Sequence, residues 1–382
     1  MTSKSQPDEE TKPFVLHVTT SHLANDIRIF EKECKGLAAS GKYRVGLAAA
    51  GDFEEAEGVS VVPIRYPPRG RVARFIKGPI RAAALTHIVD AQLWHFHDPE
   101  LLPLAVRMAR TGKLVIWDAH EDYVAQLHEK GAKSWVPGPL RRIVREGTAF
   151  FLRRIDRHAA GIVAATPTIA SRYSNPRTAL VGNEARLETF NGCQPTFHSR
   201  QVLFTGYPGY GHLFPEVVRA VSMIPDAKLA VAGRTPDTTL WRQAEELLGP
   251  RLVHLGWLSR KGIVDAFNDS AIGLSTYADL PTNAENSPNK LFEFGAAGLP
   301  VIATPTKSNL RHIGTSKAGV VASGFSAREM AEAMIMLLND EQAWAACSTS
   351  GRQWAFREGS WSKSEQALLA LYQTVLRDRC IS

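Results

Sequence analysis

The sequence lacks the features that mark membrane-spanning and secreted proteins. It contains no run of about 18 apolar residues, so no segment could cross a bilayer as a single helix. Residues 1–12 are polar and acidic and lack the apolar centre of a signal peptide, so we expect a disordered tail there. The 4 cysteines are scattered, without the spacing of a metal-binding or redox motif. Free thiols are typical of a reducing compartment, and the sequence therefore predicts a cytoplasmic protein.

The size and charge of the chain limit the classes of function. A chain of 382 residues exceeds the size at which one hydrophobic core stops growing, so two domains are expected. The net charge of +7 is compatible with nucleic acid, an anionic membrane or a phosphorylated substrate as partner. No segment resembles a motif that reads DNA or RNA, so nucleic acid is disfavoured.

Much of the positive charge is concentrated in two segments of the first half. The first holds Arg65, Arg69, Arg71, Arg74, Lys77 and Arg81, and the second holds Lys130, Lys133, Arg141, Arg142, Arg145, Arg153, Arg154 and Arg157. Aromatic and aliphatic residues are interleaved with the basic ones in the second segment. Such a surface can rest on anionic lipid at the inner face of a membrane, and it can equally be a solvated face.

Apolar strands and helices alternate along the chain, and the alternation occurs twice. Strands are predicted at 14–20, 43–49, 59–64, 92–96, 113–117 and 161–165, and again at 201–206, 227–233, 251–256, 271–276, 300–304 and 319–321. Alternation of this kind builds doubly wound parallel sheets. The sequence therefore predicts two Rossmann-like α/β domains, at 13–190 and 200–355. A terminal helix at 361–382 follows them.

The segment 285–304 has the pattern of a loop, a helix, a tight turn and a buried strand. Ser287 is the predicted N-cap of the helix, and Pro288 suits its first position. The N–H groups of Ser287, Asn289 and Lys290 would then point out of the helix start with a partial positive charge. A helix start of this kind is a suitable seat for a phosphate.

Two glutamates flank that helix start. Glu285 lies ahead of the helix and Glu293 lies about two turns into it, so both could bind hydroxyls on either side of an anion. The spacing Glu-x7-Glu, followed by Phe-Gly-Ala-Ala-Gly-Leu-Pro-Val-Ile-Ala, resembles the donor-site segment of GT-B glycosyltransferases, specifically the large retaining family 4. The alternative is an ordinary surface helix with solvated glutamates. The resemblance implies a GT-B architecture, in which two doubly wound parallel-sheet domains face each other across a cleft.

Three segments of the first half resemble the same family. Residues 25–33 are similar to the start of the first helix in a subgroup with an Asp-x-Arg-Ile motif, and 95–103 and 117–123 are similar to two strand ends. In the family a histidine after the second of these strands lies near the transferred sugar, and His120 has that position here. Ligands of doubly wound sheets bind beyond the carboxyl ends of the strands.

Further polar residues at the same strand ends are candidates for the acceptor side of the site. These residues are His22, Asp26, Arg28, His97 and Asp98. For His97 and Asp98, capping of a strand end is an equal alternative. The first loop lacks the Gly-Gly turn of many family members, so ligand contact at that loop does not follow from the resemblance.

The second half carries further donor-side resemblance and one mismatch. Gly206 and Gly233 end strands that resemble the first two of the donor domain, and the backbone at Trp257 and Leu258 resembles the part that holds the nucleotide base. Family members place an Arg and a Lys after the first of these strands. Here 206–214 has neither, and His212 takes the nearest position.

The resemblance implies transfer of a hexose from a nucleoside-diphosphate sugar to an acceptor hydroxyl, with retention and without an obligatory metal or other cofactor. Glu293 would hold the ribose hydroxyls. Glu285, with the N–H groups of Asn286 and Ser287, would grip the sugar.

The leaving diphosphate would be stabilised by Arg234, Lys290 and the helix start. The expected partners are a nucleotide-sugar, a sugar or lipid-linked acceptor, and an anionic membrane surface. Two alternatives stay open: a nucleotide-sugar 2-epimerase on the same fold, and a non-catalytic module that binds a nucleotide or sugar.

Overall fold

The structure is a computed structural model that describes residues 11–50, 55–64, 71–121, 123, 138–233, 238–280, 283 and 286–379. These residues form two compact units. The first unit extends to Gly182 and includes the chain from Ser362 onward, and the second is Asn183–Trp361. The polar segment 183–199 thus belongs to the second unit, although the predicted first domain extends to 190.

A parallel sheet forms the centre of the first unit. Its strands are β1 Phe14–Leu23, β2 Arg44–Ala50, β3 Glu55–Ala56, β4 Val59–Pro63, β5 Leu93–Phe96, β6 Leu114–Ala119, β7 Gly161–Ala164 and β8 Thr178–Leu180. Their order is β3-β4-β2-β1-β5-β6-β7-β8, and every neighbouring pair is parallel except β3 with β4. The strand order reverses at β1, between β2 and β5, which is where ligands of such sheets bind.

The helices of the first unit connect and cover these strands. They are a π-helix at Ile27–Cys34, α1 Lys35–Ala39, α2 Arg71–Ile88, α3 Leu102–Arg110, α4 Gly138–His158, α5 Pro167–Ala170 and the terminal α13 Ser362–Arg379. Helix α2 has Pro79 inside it. Among the described residues no helix is both long and apolar enough to cross a membrane.

The two faces of the central strands differ in polarity. Leu16, Trp94 and Phe96 are fully buried in the apolar core of the unit. Because side chains alternate between the faces of a strand, the intervening His17 and His95 lie on the opposite face. Both histidines are also fully buried, so this face carries polar groups in the interior.

The π-helix explains how that polar face is covered. The carboxylate of Asp26 accepts hydrogen bonds from the backbone N–H groups of Arg28 and Ile29, both at 2.9 Å. The N–H of Glu31 then reaches back five residues to the carbonyl of Asp26 at 3.1 Å. The apolar spacing over 27–40 predicts one regular helix, whereas the structure has this π-helix followed by α1. The wider turn places Arg28 and Glu33, five residues apart, on one buried face.

The second unit has a six-stranded, all-parallel sheet. Its strands are β9 Gln201–Thr205, β10 Lys228–Ala232, β11 Leu252–Gly256, β12 Ile272–Ser275, β13 Val301–Ala303 and β14 Gly319–Val321, in the order β11-β10-β9-β12-β13-β14. The order reverses between β9 and β12. The predicted α/β fold class with two parallel sheets is thus confirmed.

The helices of the second unit alternate with these strands. They are α6 Phe214–Ser222, α7 Thr238–Leu248, α8 Arg260–Asn268, α9 Asn289–Ala297, α10 Lys307–Ser316, α11 Ala327–Asn339 and α12 Glu341–Arg357. Short 3₁₀ turns occur at Pro99–Leu101, Leu187–Phe190, Phe197–Ser199, Tyr210–His212 and Gly249–Arg251.

Candidate active site

Helix α9 starts at the carboxyl edge of the second sheet without a side-chain cap. Pro288 is its N-cap residue, with extended backbone, and Asn289 is the first helical residue. The prediction of Ser287 as N-cap was therefore wrong by one position. A proline has neither an N–H donor nor a side-chain acceptor, so the partial positive charge at this helix start is not offset by a capping side chain.

Lys290 reaches from this helix to the point where the strand order reverses. Its Nζ donates to the carbonyl of Thr205, the last residue of β9, at 2.6 Å. The same Nζ lies 5.4 Å from the ring centroid of Phe204 and 5.3 Å from that of Tyr277. Burial lowers the pKa of Lys290 to about 8, against the opposing effect of the Glu293 carboxylate. Lys290 therefore carries a positive charge for most of the time at pH 7, in a poorly hydrated position.

Two glycines next to Lys290 bring the ends of β9 and β10 close together. Gly233 has φ +158°, and a Cβ atom there would lie 2.0 Å from the carbonyl oxygen of Gly206. Gly206 has φ +110°, and its Cβ would lie 3.8 Å from Nζ of Lys290. Neither position accepts a side chain without strain, which leaves bare backbone at this edge.

His212 is a neutral neighbour of Lys290. Its Nδ1 lies 2.8 Å from the carbonyl of Tyr207, so Nδ1 carries the proton and donates, and Nε2 is left as an acceptor. Burial and the Lys290 ammonium lower the pKa of His212 to about 4. The positive charge at this edge thus comes from Lys290. His212, which has the position nearest to that of the Arg and Lys expected from the resemblance, is neutral.

The loop before α9 is anchored by its backbone carbonyls. Ser308 Oγ donates to the carbonyl of Asn286 at 2.6 Å, and Asn183 Nδ2 donates to that of Ser287 at 2.7 Å. The side-chain Oδ1 of Asn286 is buried and has no hydrogen-bond partner among the described residues. The side chain of Asn286 therefore retains an acceptor that a hydroxyl could use.

Glu293 and the end of β11 complete the described part of this edge. Glu293 is 7% exposed, and its Oε1 lies 3.4 Å from Nη1 of Arg260. Trp257, directly after β11, is 57% exposed, whereas Leu258 packs on the core. Two of the predicted site residues, Arg234 and Glu285, lie outside the described residues.

Sequence reasoning missed the tyrosines of this edge. Tyr207 and Tyr210 follow β9 and are 55% and 62% exposed. Tyr277 is buried beneath Lys290, and its ring lies 5.1 Å from that of His212, edge to face. The two tyrosines among the glycines of 206–211 are the feature of the sequence that could have indicated them.

In the first unit, Asp118 is the centre of a buried cluster at the end of β6. It accepts from Arg28 Nε at 3.1 Å and Nη2 at 2.9 Å, and from His97 Nδ1 at 2.9 Å. His120 Nδ1 lies 3.3 Å from the same carboxylate. Burial would raise the pKa of Asp118, but the Arg28 guanidinium and His120 hold it well below its usual range.

Asp98 has a similar position two residues after β5, where it contacts the neighbouring strand β1. Its Oδ2 accepts from Thr19 Oγ1 at 2.7 Å and from the backbone N–H groups of Thr20 at 2.6 Å and Ser21 at 3.0 Å. Its Oδ1 lies 3.2 Å from His22 Nδ1. Burial opposes protonation of His22, yet Asp98 raises the pKa of His22 to about 9. These contacts are those of strand-end capping, the alternative raised for Asp98.

The predicted acceptor-side residues differ in their access to a ligand. Asp26 caps the π-helix, and Arg28 is 5% exposed, with Nη1 donating to the carbonyl of Gly182 at 3.0 Å. His97 is fully buried. The side chains of His22 and His120 are 31% and 10% exposed, and their rings meet edge to face at 5.4 Å. Direct contact with an acceptor is therefore best expected from these two histidines, and Arg28 organises the cluster behind them.

The buried cluster extends to residues that sequence reasoning missed. These residues are His17, Glu33, His95 and Tyr372. Burial holds the pKa of both His17 and His95 well below the usual value. The alternating pair His95 and His97 on one strand was the available signal.

Comparison with known proteins agrees with this description. Residues 209–340 match the profile of the family described as Glycosyl transferases group 1. The chain is 25% identical over 339 residues to a phosphatidyl-myo-inositol mannosyltransferase of Mycolicibacterium smegmatis, covering 83% of this chain and 80% of the relative.

Two solved structures have the same fold. The sucrose-phosphate synthase of Thermosynechococcus elongatus superposes with a TM-score of 0.76 at 16% identity, over 96% of this chain and 100% of that one. The Anabaena protein HepE, solved in complex with UDP-glucose, gives 0.70 at 11% identity, over 95% and 99%. The profile match, the relative along most of the chain and the shared architecture identify the chain as a glycosyltransferase of the GT-B fold.

Proposed function

We propose that the protein transfers a hexose from a nucleoside-diphosphate sugar to an acceptor hydroxyl with retention of configuration, and that the second unit binds the donor. The observation that carries the proposal is the position of Lys290. Its ammonium lies beside the uncapped start of α9 and the bare backbone of Gly206 and Gly233, where the strand order reverses. Helix starts and buried ammonium groups are both suited to phosphate oxygens.

The diphosphate is the part of the donor that Lys290 would serve. When the bond to the sugar breaks, negative charge develops on the leaving phosphate, and a preorganised cation lowers the energy of that state. Lys290 would supply this charge together with Arg234. A bound phosphate would raise the pKa of His212 from its value of about 4, because a nearby anion favours the charged imidazole.

The hydroxyls of the donor would be bound by the acidic and amide groups around α9. Glu293 would hold the ribose hydroxyls, and its burial makes it a strong acceptor. Asn286 Oδ1, buried without a partner among the described residues, would accept from the sugar, next to Glu285. The similarity to a protein solved with UDP-glucose supports a uridine nucleotide as the first donor to test.

Retention is proposed through attack on the same face of the sugar, assisted by the leaving phosphate. We expect no obligatory metal or other cofactor for this step, because Lys290, Arg234 and the helix start would supply the positive charge. A covalent glycosyl adduct on Glu285, detected by mass spectrometry, would contradict this mechanism.

We propose a lipid-linked or polysaccharide-precursor acceptor, received by the first unit at the cytoplasmic face of a membrane. Helix α4 supports this proposal, because its Ile143 and Phe150 are 66% and 43% exposed beside basic residues. Arg142 is exposed, and the guanidinium of Arg154 lies 4.8 Å over the Phe150 ring. A helix surface that combines apolar and basic groups binds anionic lipid. The relative named as a phosphatidyl-myo-inositol mannosyltransferase agrees with an acceptor of this class.

A thermal-shift screen with UDP, GDP, ADP and their sugars tests the donor. A ligand that binds only the folded protein raises its melting temperature. At a free ligand concentration of one hundred times Kd, the free energy of unfolding increases by about 2.7 kcal/mol. We expect one nucleotide to stabilise the wild type and to lose that effect in the variant Lys290→Met. No stabilisation by any nucleotide would contradict the proposal.

Co-sedimentation with vesicles tests the membrane part separately. We expect binding to vesicles of phosphatidylglycerol and much weaker binding to vesicles of phosphatidylcholine. The double variant Ile143→Asp, Phe150→Asp should lose it. Equal binding to both lipids, or none, would contradict membrane association and leave the donor proposal intact.

A further inference from the structure

Three histidines of the first unit lie on one face of its sheet. His17 is on β1 and is in register with His95 on the neighbouring strand β5. His97 follows two residues after His95, so both side chains point to the same side of the strand. The His-x-His pair and the histidine on the neighbouring strand therefore bring three imidazole rings together on one face of the sheet.

The π-helix places a carboxylate over these rings. Glu33 Oε2 lies 3.8 Å from His17 Nδ1 and 3.9 Å from His95 Nδ1. His17 Nδ1 lies 2.9 Å from His97 Nε2. One ligand atom from each of these four side chains lies within 4.8 Å of all the others, and all four residues are fully buried.

The hydrogen-bonding capacity of this cluster is not fully used by the protein groups around it. Oε2 of Glu33, the carboxylate oxygen nearest the rings, is buried and has no hydrogen-bond partner among the residues that the structure describes. Arg28 Nε lies 3.2 Å from Oε1 of Glu33, the other oxygen of this carboxylate. Buried polar atoms left in this state cost free energy, and a bound cation would remove that cost.

We propose that His17, Glu33, His95 and His97 bind a structural Zn²⁺ ion. Zinc takes imidazole nitrogens at about 2.0–2.1 Å and a carboxylate oxygen at about 2.0–2.2 Å in a tetrahedron, which separates neighbouring ligand atoms by about 3.3 Å. The separations of 2.9, 3.8 and 3.9 Å lie on both sides of that value, so small side-chain rotations would form the tetrahedron.

The surroundings of the cluster agree with a metal site. His97 Nδ1 donates to Asp118 at 2.9 Å, which leaves Nε2 as the ligand atom and orients the ring. The hydroxyl of Tyr372, on α13, lies 3.1 Å from His17 Nε2 and 2.8 Å from His95 Nδ1, and the ion would replace the second of these contacts. Such partners behind the ligands are typical of zinc-binding histidines. Because four protein groups complete the tetrahedron in the interior, the ion would be structural and would take no part in sugar transfer.

A second group of possible ligands, His97, Asp118 and His120, shares one residue with this cluster. It is less suited to an ion, because both carboxylate oxygens of Asp118 already accept from the Arg28 guanidinium. The cluster around Glu33 is therefore the better site.

Metal analysis of the full-length chain tests the proposal. Protein without a histidine tag, expressed with added zinc and measured by plasma mass spectrometry, should contain about one zinc ion per chain. In each of the variants Glu33→Gln and His95→Gln, the zinc content per chain should be at least tenfold lower than in wild type. Glu100→Gln, a buried glutamate bonded to Thr20 and outside the cluster, is the matched control and should retain the zinc.

A second measurement covers variants that fail to fold. Wild-type protein is unfolded with a chelator and refolded with or without Zn²⁺ or Co²⁺. The metal should raise the melting temperature, and cobalt should give the visible absorption of a tetrahedral site. A zinc content below a tenth of an equivalent with no effect of metal on refolding would overturn the proposal. Equal zinc in wild type and both cluster variants would also overturn it.

Discussion

Arg28 of the first unit and Lys290 of the second are cations with different partners. Arg28 binds Asp118 with two hydrogen bonds, and nearby Asp98 faces His22. In the second unit, the ammonium of Lys290 contacts one carbonyl oxygen and two aromatic rings. Charges neutralised within the protein mainly support the fold, whereas a charge held against neutral groups is available to an anionic ligand. Substitutions in the first unit should therefore act on stability, and those around Lys290 should act on donor binding and turnover.

The largest expected effect on stability is that of Arg28→Met. The variant leaves the Asp118 carboxylate buried without its guanidinium, which should lower the free energy of unfolding by about 3–5 kcal/mol. Urea denaturation followed by circular dichroism measures this. Arg142→Met removes an arginine of the exposed pair with Glu146 and is the control, with no measurable change expected. Equal stability of Arg28→Met and wild type would contradict internal pairing as the role of Arg28.

Lys290→Met, unlike Arg28→Met, should reduce activity and leave stability nearly unchanged. Loss of the cation that stabilises the leaving phosphate should lower kcat about 10²–10³-fold, as for other preorganised groups of this kind. The melting temperature should stay close to that of wild type, because a desolvated charge is removed. Lys228→Met, at the exposed amino end of β10, should leave kcat unchanged. Comparable losses of activity in both variants would count against a specific role of Lys290.

The pH dependence of kcat/KM sharpens the same point. The pKa of Lys290 is lowered to about 8 by burial, so its ammonium is lost as the pH rises through about 8 in the free enzyme. We expect kcat/KM to fall about tenfold per pH unit above that value. In Lys290→Arg the residual activity should not fall in this range, because a guanidinium stays charged. A fall at the same pH in both proteins would assign it to another group.

The smallest predicted effect concerns His22. Its pKa is raised to about 9 in the folded protein by Asp98, above the ordinary value of 6.5. The stabilisation from this pair is therefore fully present below about pH 6.5 and is lost as the pH rises through about 9. Unfolding experiments at pH 6.5 and 9.5 should show a smaller loss of stability in His22→Gln than in wild type. An equal loss in both proteins would show that other groups cause it.

The sequence predicted well those features that depend on local pattern. Alternation of apolar strands with helices gave the α/β class and both sheets, and strand β13 and helix α9 begin within one residue of their predicted positions. The glycosyltransferase prediction is confirmed by the comparisons. The individual roles of the site residues stay predictions.

What the sequence did not predict depends on contacts between distant residues. The Nζ of Lys290 meets a carbonyl 85 positions away. Its pKa is lowered by burial in the fold, which no local pattern of residues predicts. Tyr372 reaches His17 across 355 positions, so no local pattern connects the terminal helix with the polar face of the first sheet. The π-helix likewise carries Arg28 to Asp118, 90 positions away, whereas spacing alone predicts an α-helix at 27–34.

A crystal structure with a nucleoside diphosphate bound tests the central claim most directly. The account predicts a phosphate oxygen about 2.7–2.9 Å from Nζ of Lys290, at the start of helix α9, as expected for a charge-assisted hydrogen bond. A diphosphate bound in the second unit without contact to Lys290 or to that helix start would contradict it.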